Sequence, residues 1–98
     1  MIKKHYYKGG KTCRVWFYLP AEVNAREANI VGDFNGWDQR VNPMKVKKDG
    51  TFYLGLSLEA GKDYQFRYLL DHERWENDWQ ADAYVPNDLG EENSVVKV

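Results

Sequence analysis

The sequence predicts an all-β fold, an antiparallel β-sandwich of about seven short strands. Apolar and polar residues alternate with a period of two through residues 13–19, 51–58 and 63–70. Turn dipeptides punctuate the chain at Asn35-Gly36, Asp49-Gly50 and Ala60-Gly61. No stretch carries a sustained helical pattern; "LPAEVNAREA" comes nearest and is cut short at Asn24.

Taken in order, "CRVWFYLP" places Cys13, Val15, Phe17 and Leu19 on one face and Arg14, Trp16 and Tyr18 on the other, and Pro20 ends the strand. "ANIVGDF" is a second short strand around Ile30 and Val31. "PMKVKKDGTFYLGLSL" reads as a hairpin, in which Met44 and Val46 alternate with lysines, Asp49-Gly50 turns, and Phe52, Leu54, Leu56 and Leu58 form a buried face. "DYQFRYLL" sends Tyr64, Phe66, Tyr68 and Leu70 one way and Gln65, Arg67 and Leu69 the other. A return strand around Trp75 follows a turn near Asp71-His72, "QADAYVPNDLG" is loop-like, and "NSVVKV" is the last strand. The Cys–Trp–Cys spacing of antibody domains is absent, so the sandwich is immunoglobulin-like in architecture alone.

At 98 residues the chain is one domain, with residues 1–10 expected as an N-terminal tail and residues 11–98 as the sandwich. The net charge of −1 argues against a partner held through phosphate contacts, so no nucleic acid is expected. Residues 1–50 hold ten Lys/Arg against five Asp/Glu, and residues 51–98 hold four against ten, which predicts two differently charged surfaces. Cys13 stands alone, so no internal disulfide can form. The opening "MIKKHYYKGGK" has charge but no apolar run, and no stretch is long enough to span a bilayer. A cytoplasmic protein without a membrane partner is expected.

The residue types of catalysis are not arranged for it. "DHERWENDWQAD" holds five acidic residues, but a paired-carboxylate site needs a pocket, and a solvated acidic loop accounts for them. Their spacing does not match a calcium loop and lacks its glycine. His5 and His72 lie far apart with no cysteine cluster beside either, which gives a zinc site little support, and Cys13 reads as a small core residue. No serine elbow, phosphate loop or dinucleotide fingerprint occurs. No cofactor is expected.

The aromatic share is the unusual quantity, with four Trp, seven Tyr and four Phe in so short a chain. Some of these must face water. A sugar ring offers an apolar C–H face that stacks on indole, and hydroxyls that need forked partners such as Arg, Asn and Gln. That mix occurs near turns: Trp37 after Asn35-Gly36, Trp75 and Trp79 in the acidic segment, and Arg67 on a strand face. Taken singly, each tryptophan serves a structural account as well as a functional one. Trp16 fits cross-strand packing, and Trp37 could plug its loop.

"VGDFNGWD", "YQFRYLLDHERW" and "NDWQADAYVPNDLGEENSVVKV", in this order, resemble the family 48 carbohydrate-binding module. That module is the β-sandwich at the N-terminus of isoamylases and branching enzymes, and the glycogen-binding domain of the AMP-activated kinase β subunit. The resemblance runs from about Lys11 to Val98 and implies non-catalytic binding of α-1,4-glucans such as glycogen, starch and maltooligosaccharide. It implies that Trp37 and Trp75 stack on glucose rings, that Leu89 sits at the tip of the last loop, and that Asn93 bonds ring hydroxyls. Arg67 falls where the kinase-type domains carry a hydroxyl-bonding lysine. The bend between Asp71 and Trp75 is slightly longer than in that domain, with His72 where a glycine would ease it. Trp79 stands where the family often has proline, either as a third aromatic at the site or as a core plug. The resemblance also leaves room for a rival role: a docking module on a glucan-metabolising enzyme, related to the N-terminal domain of family 13 glycoside hydrolases, with no glucan site of its own.

Overall fold

The computed structural model describes residues 1–98 as two antiparallel sheets packed face to face, with no α-helix. Nine strands occur: β1 (Ile2–Tyr6), β2 (Thr12–Leu19), β3 (Ala28–Gly32), β4 (Lys45–Val46), β5 (Phe52–Glu59), β6 (Asp63–Leu70), β7 (Arg74–Glu76), β8 (Ala83–Pro86) and β9 (Glu92–Lys97). One sheet has the order β1-β2-β5-β4, and the other β3-β6-β9-β8. In the second sheet β6 pairs β3 along one edge, while β9 and β7 pair successive stretches of its other edge.

Period-two alternation places the core where expected. Cys13, Val15, Phe17 and Leu19 of β2 are fully buried and meet Ile30, Phe66, Tyr68, Leu70 and Val96 from the facing sheet. Phe17, Phe66 and Tyr68 form an edge-to-face chain with ring centres 5.1 and 5.5 Å apart. Each such pair contributes about 0.5–1.5 kcal/mol beyond the area it removes from water. No helix is long and apolar enough to cross a membrane.

Four differences from the sequence reading have physical causes. Ile2–Tyr6, expected within a tail, pair in register with β2 from Ile2↔Phe17 to Tyr6↔Cys13. Ile2 alone of the five is partly buried, so the strand carries almost no hydrophobic pattern. Ala83–Pro86, expected as loop, form edge strand β8 against β9; Pro86 is tolerated because it ends the strand. Leu54 and Leu56 are half-buried rather than buried; they pack against the margin of the core cluster, while Phe52 and Leu58 on the same face lie within it. The weak helical pattern after Leu19 becomes a single 3-10 turn, Ala21–Val23, ended by Asn24 in the left-handed region (φ 56°).

Candidate functional site

The motif Gly32-Asp33-Phe34-Asn35-Gly36-Trp37 builds a rigid mount at the end of β3. A Cβ on Gly32 would lie 2.5 Å from the Gln65 carbonyl oxygen and 2.7 Å from Phe66 Cβ, so only glycine lets β3 approach β6 this closely. Phe34 turns inward, 5.8 Å from Phe17. The Asn35 side chain accepts from Gly32 N–H (3.0 Å) and donates to the Ile30 carbonyl (2.9 Å) and Asn42 Oδ1 (2.7 Å). A side-chain amide thus does the work of a local backbone ladder.

Gly36 and Trp37 then both adopt left-handed backbone, at φ 64° and 60°. For a bulky residue this costs roughly 1–2 kcal/mol. The surrounding bonds hold it: Trp37 N–H donates to the Gly32 carbonyl (2.9 Å), and its indole Nε1 donates to Asp33 Oδ1 (3.0 Å). Asp33 Oδ2 meanwhile accepts from Gln65 N–H at 2.7 Å, tying the mount to β6. Trp37 is half-buried, neither a plug nor a free side chain.

Arg67 and Trp75 come from β6 and β7. Arg67 pairs with Val31 across β3 and is buried to all but 8%. Its Nη1 donates to Glu91 Oε1 at 3.1 Å, while its buried Nε–H has no acceptor. Its guanidinium carbon lies 5.3 Å from the Trp75 ring centre. Trp75 stands opposite Leu69 and shields it, which buries the outward side of β6 as well.

The turn that delivers Trp75 uses two left-handed residues, Asp71 (φ 53°) and His72 (φ 60°), where glycine is absent. Its bonds compensate. Asp71 Oδ1 accepts from the backbone N–H groups of Arg26 (2.8 Å) and Glu27 (2.9 Å), and Arg74 donates to the Val23 carbonyl (2.8 Å). The N–H of Glu27 foremost, then that of Arg26, holds the Asp71 carboxyl below its ordinary value.

A chain of amides closes the far wall. Asn93 Nδ2 donates to Gln65 Oε1 (3.1 Å), and Asn87 Nδ2 donates to Asn93 Oδ1 (3.1 Å). Asn87 Oδ1 accepts from Leu89 and Glu91 N–H (2.9 and 3.1 Å), folding the loop whose tip, Leu89, is 79% exposed.

Trp37, Arg67, Trp75, Leu89 and Asn93 therefore line one cleft of about 220 Å³, joined by Asn87. Sequence reasoning missed Asn87; its signal was an Asn directly after Pro86 and before a turn, an Asx position. Trp79 does not join them. It is 53% exposed and lines a different groove beside Tyr18 and Gln80, so it is neither a third aromatic here nor a core plug. The carboxylates near the cleft are committed: Asp33 to Trp37 and Gln65, Glu91 to Arg67. In the 71–82 segment Asp78 is buried against Tyr68, and Asp82 pairs with Lys4 at 2.7 Å. No three His, Cys, Asp or Glu side chains converge as metal ligands do.

Comparison with known proteins bears on this cleft. The profile described as carbohydrate-binding module 48 (isoamylase N-terminal domain) matches residues 4–85. Asn87, Leu89 and Asn93 lie beyond that match. A 1,4-alpha-glucan branching enzyme GlgB of Butyrivibrio fibrisolvens is 30% identical over 74 residues, 71% of this chain and 11% of that protein. GlgB of Photobacterium profundum is 37% identical over 60 residues, 60% of this chain and 8% of that protein. GlgB 2 of Rhizobium etli is 41% identical over 51 residues, half of this chain and 7% of that protein. The chain thus spans about a tenth or less of the length of these relatives.

Proposed function

The chain belongs to the carbohydrate-binding module 48 (isoamylase N-terminal domain) family, and on that premise we propose that it binds α-1,4-glucans, without turnover, in the cleft between Trp37 and Trp75. The convergence carries this reading: two indoles, an arginine fork and an amide chain, drawn from four separate segments, meet in one shallow depression. Indole faces suit the C–H face of glucose, and Asn87, Asn93 and Arg67 supply donors and acceptors for its hydroxyls. Arg67 engages one of its five N–H donors with a partner, Glu91, so the fork keeps capacity for a ligand.

The proposal includes a non-catalytic role, which is supported by Asp33 and Glu91 already holding hydrogen-bond partners in Trp37, Gln65 and Arg67. The relatives named as branching enzymes are far longer than this chain, and we extend the proposal to a glucan-metabolising enzyme as partner. The cleft is smaller than the roughly 300 Å³ at which drug-sized pockets begin, so affinity is low, with Kd on the order of 10 μM to 1 mM.

Titration of isotope-labelled protein with maltoheptaose tests the reading. Indole N–H signals of Trp37 and Trp75 and the amide of Asn93 are expected to shift together and saturate. Trp37→Ala should weaken that response by about 1–3 kcal/mol, by analogy with base–aromatic stacking. Unchanged binding at Trp75 and Asn93, with a sharply lowered Tm, would make Trp37 structural and favour the docking role.

A further inference from the structure

Trp79 is the exposed tryptophan that the cleft does not use, and the residues on either side of it are hydrogen-bonded in place. The residue before it, Asp78, has a side chain at 0% exposure that accepts from the Tyr68 hydroxyl at 2.7 Å. Asp78 N–H donates to Ser94 Oγ (2.9 Å), and Asp78 Oδ1 accepts from Gln80 N–H (2.8 Å). Both chain neighbours of Trp79 are therefore fixed. The indole Nε1 lies 3.4 Å from Glu76 Oε1, three residues back, as Trp37 Nε1 lies 3.0 Å from Asp33, four residues back. In both cases a local carboxylate meets the polar edge of the ring while an Asx side chain, half-buried at Asn35 and buried at Asp78, holds the turn. Two separate turns use one device to present an indole.

The Trp79 groove measures about 600 Å³, larger than the Trp37–Trp75 cleft, and shares no lining residue with it. Met1, Tyr18 and Pro20 give it apolar surface, and Thr51 and Gln80 give it a hydroxyl and an amide. Lys3 and Lys47 also line it, their ammonium groups 5.7 and 5.5 Å from the centre of the Tyr18 ring. Glu22 lines the same groove. Lys3, Lys47 and Glu22 thus add charged donors and an acceptor to the hydroxyl and amide of the wall. They suit a neutral polyol, which stacks one face on indole and offers hydroxyls to mixed donors and acceptors.

We propose that the Trp79 groove is a second carbohydrate site, independent of the first, taking a short segment of α-glucan. The choice of ligand rests on the reading of the family cleft; the existence of a separate site rests on Trp79 itself. Two sites on one small module raise the effective concentration of a second glucan branch once the first is held.

The experiment is a maltoheptaose titration of the isotope-labelled chain, with the four indole N–H signals followed separately, in wild type, Trp37→Ala, Trp79→Ala and Trp79→Phe. Expected are saturable shifts at Trp79, Gln80 and Thr51 that persist in Trp37→Ala. Trp79→Ala should weaken the binding read at Gln80 and Thr51 at least tenfold, Trp79→Phe less, and both should leave the Trp75 response intact. Flat Trp79 signals while Trp37 and Trp75 respond would overturn the second site and leave the first standing. The converse pattern would uphold the Trp79 site and remove the cleft reading. Loss of the Trp79 response in Trp37→Ala would reduce two sites to one. A triglutamate peptide that shifts Trp79 more than maltoheptaose does would overturn the ligand class.

Discussion

The guanidinium of Arg67 lies against the ring of Trp75, with 5.3 Å between its central carbon and the ring centre, so each side chain sets the position of the other. Trp75 thereby keeps part of its surface for packing on Arg67 and offers the remainder to the cleft. Arg67→Ala should free the ring, strand Glu91 without its 3.1 Å partner, and weaken glucan binding by about 0.5–2 kcal/mol, the range of a partly desolvated cation–π contact. Arg67→Lys keeps the charge and loses the plane, so it should fall between the two. Maltoheptaose affinities and the sharpness of the Trp75 indole signal check both.

Gly32→Ala should be costly although its backbone is ordinary extended chain. The added methyl meets the Gln65 carbonyl oxygen at 2.5 Å, and backbone cannot step aside as a side chain can. Overpacking of this kind costs about 1–3 kcal/mol. Calorimetry should show Tm lowered by about 4–8 °C for each kcal/mol in a domain of this size.

Asn35→Ala removes three hydrogen bonds at once and leaves Gly32 N–H and the Ile30 carbonyl without that partner. A loss of about 1–3 kcal/mol in stability is expected. The more telling readout is amide exchange. Trp37 N–H, bonded to the Gly32 carbonyl, should exchange faster in the variant than the β2 amides do, because the mount loosens before the core opens.

Acid should act through Asp71. Backbone N–H groups of Glu27 and then Arg26 lower its carboxyl below the ordinary 3.8. The folded state therefore favours the ionised form; the stabilisation is complete above 3.8 and is lost as pH falls through the lower folded value. Because the group is exposed, the effect is modest. Thermal melts between about pH 5 and pH 2 should show a flatter acid limb in Asp71→Asn than in wild type.

The legibility of the fold followed burial. β2 reads as a strand because every second residue is fully inside. β1 and β8 could not be read, because both are edge strands whose side chains mostly face water, so pairing rather than hydrophobicity defines them. Asn87 was hidden for a related reason: its role is to hold a loop against Asn93, which sits six positions on in the chain but on another strand. Trp79 stands where the resembled family often has proline, so sequence leaves it as a third aromatic or a core plug, and it is neither. The buried Asp78 between Trp75 and Trp79 redirects the chain, and a buried aspartate leaves no mark in a run already rich in acids.

The two margins of the first sheet are unequally defended. β1 closes one margin and carries Lys3 and Lys4, charges that discourage a stranger from pairing there. β5 forms part of the other, and β4 covers it at Phe52 and Tyr53 alone. From Leu54 to Leu58 the segment reads Leu-Gly-Leu-Ser-Leu, without a charge until Glu59. Its outer backbone donors and acceptors are a template for further strands. Fibrillar growth in concentrated or ageing samples should begin at this margin, and a single lysine at Ser57 would be the economical way to stop it.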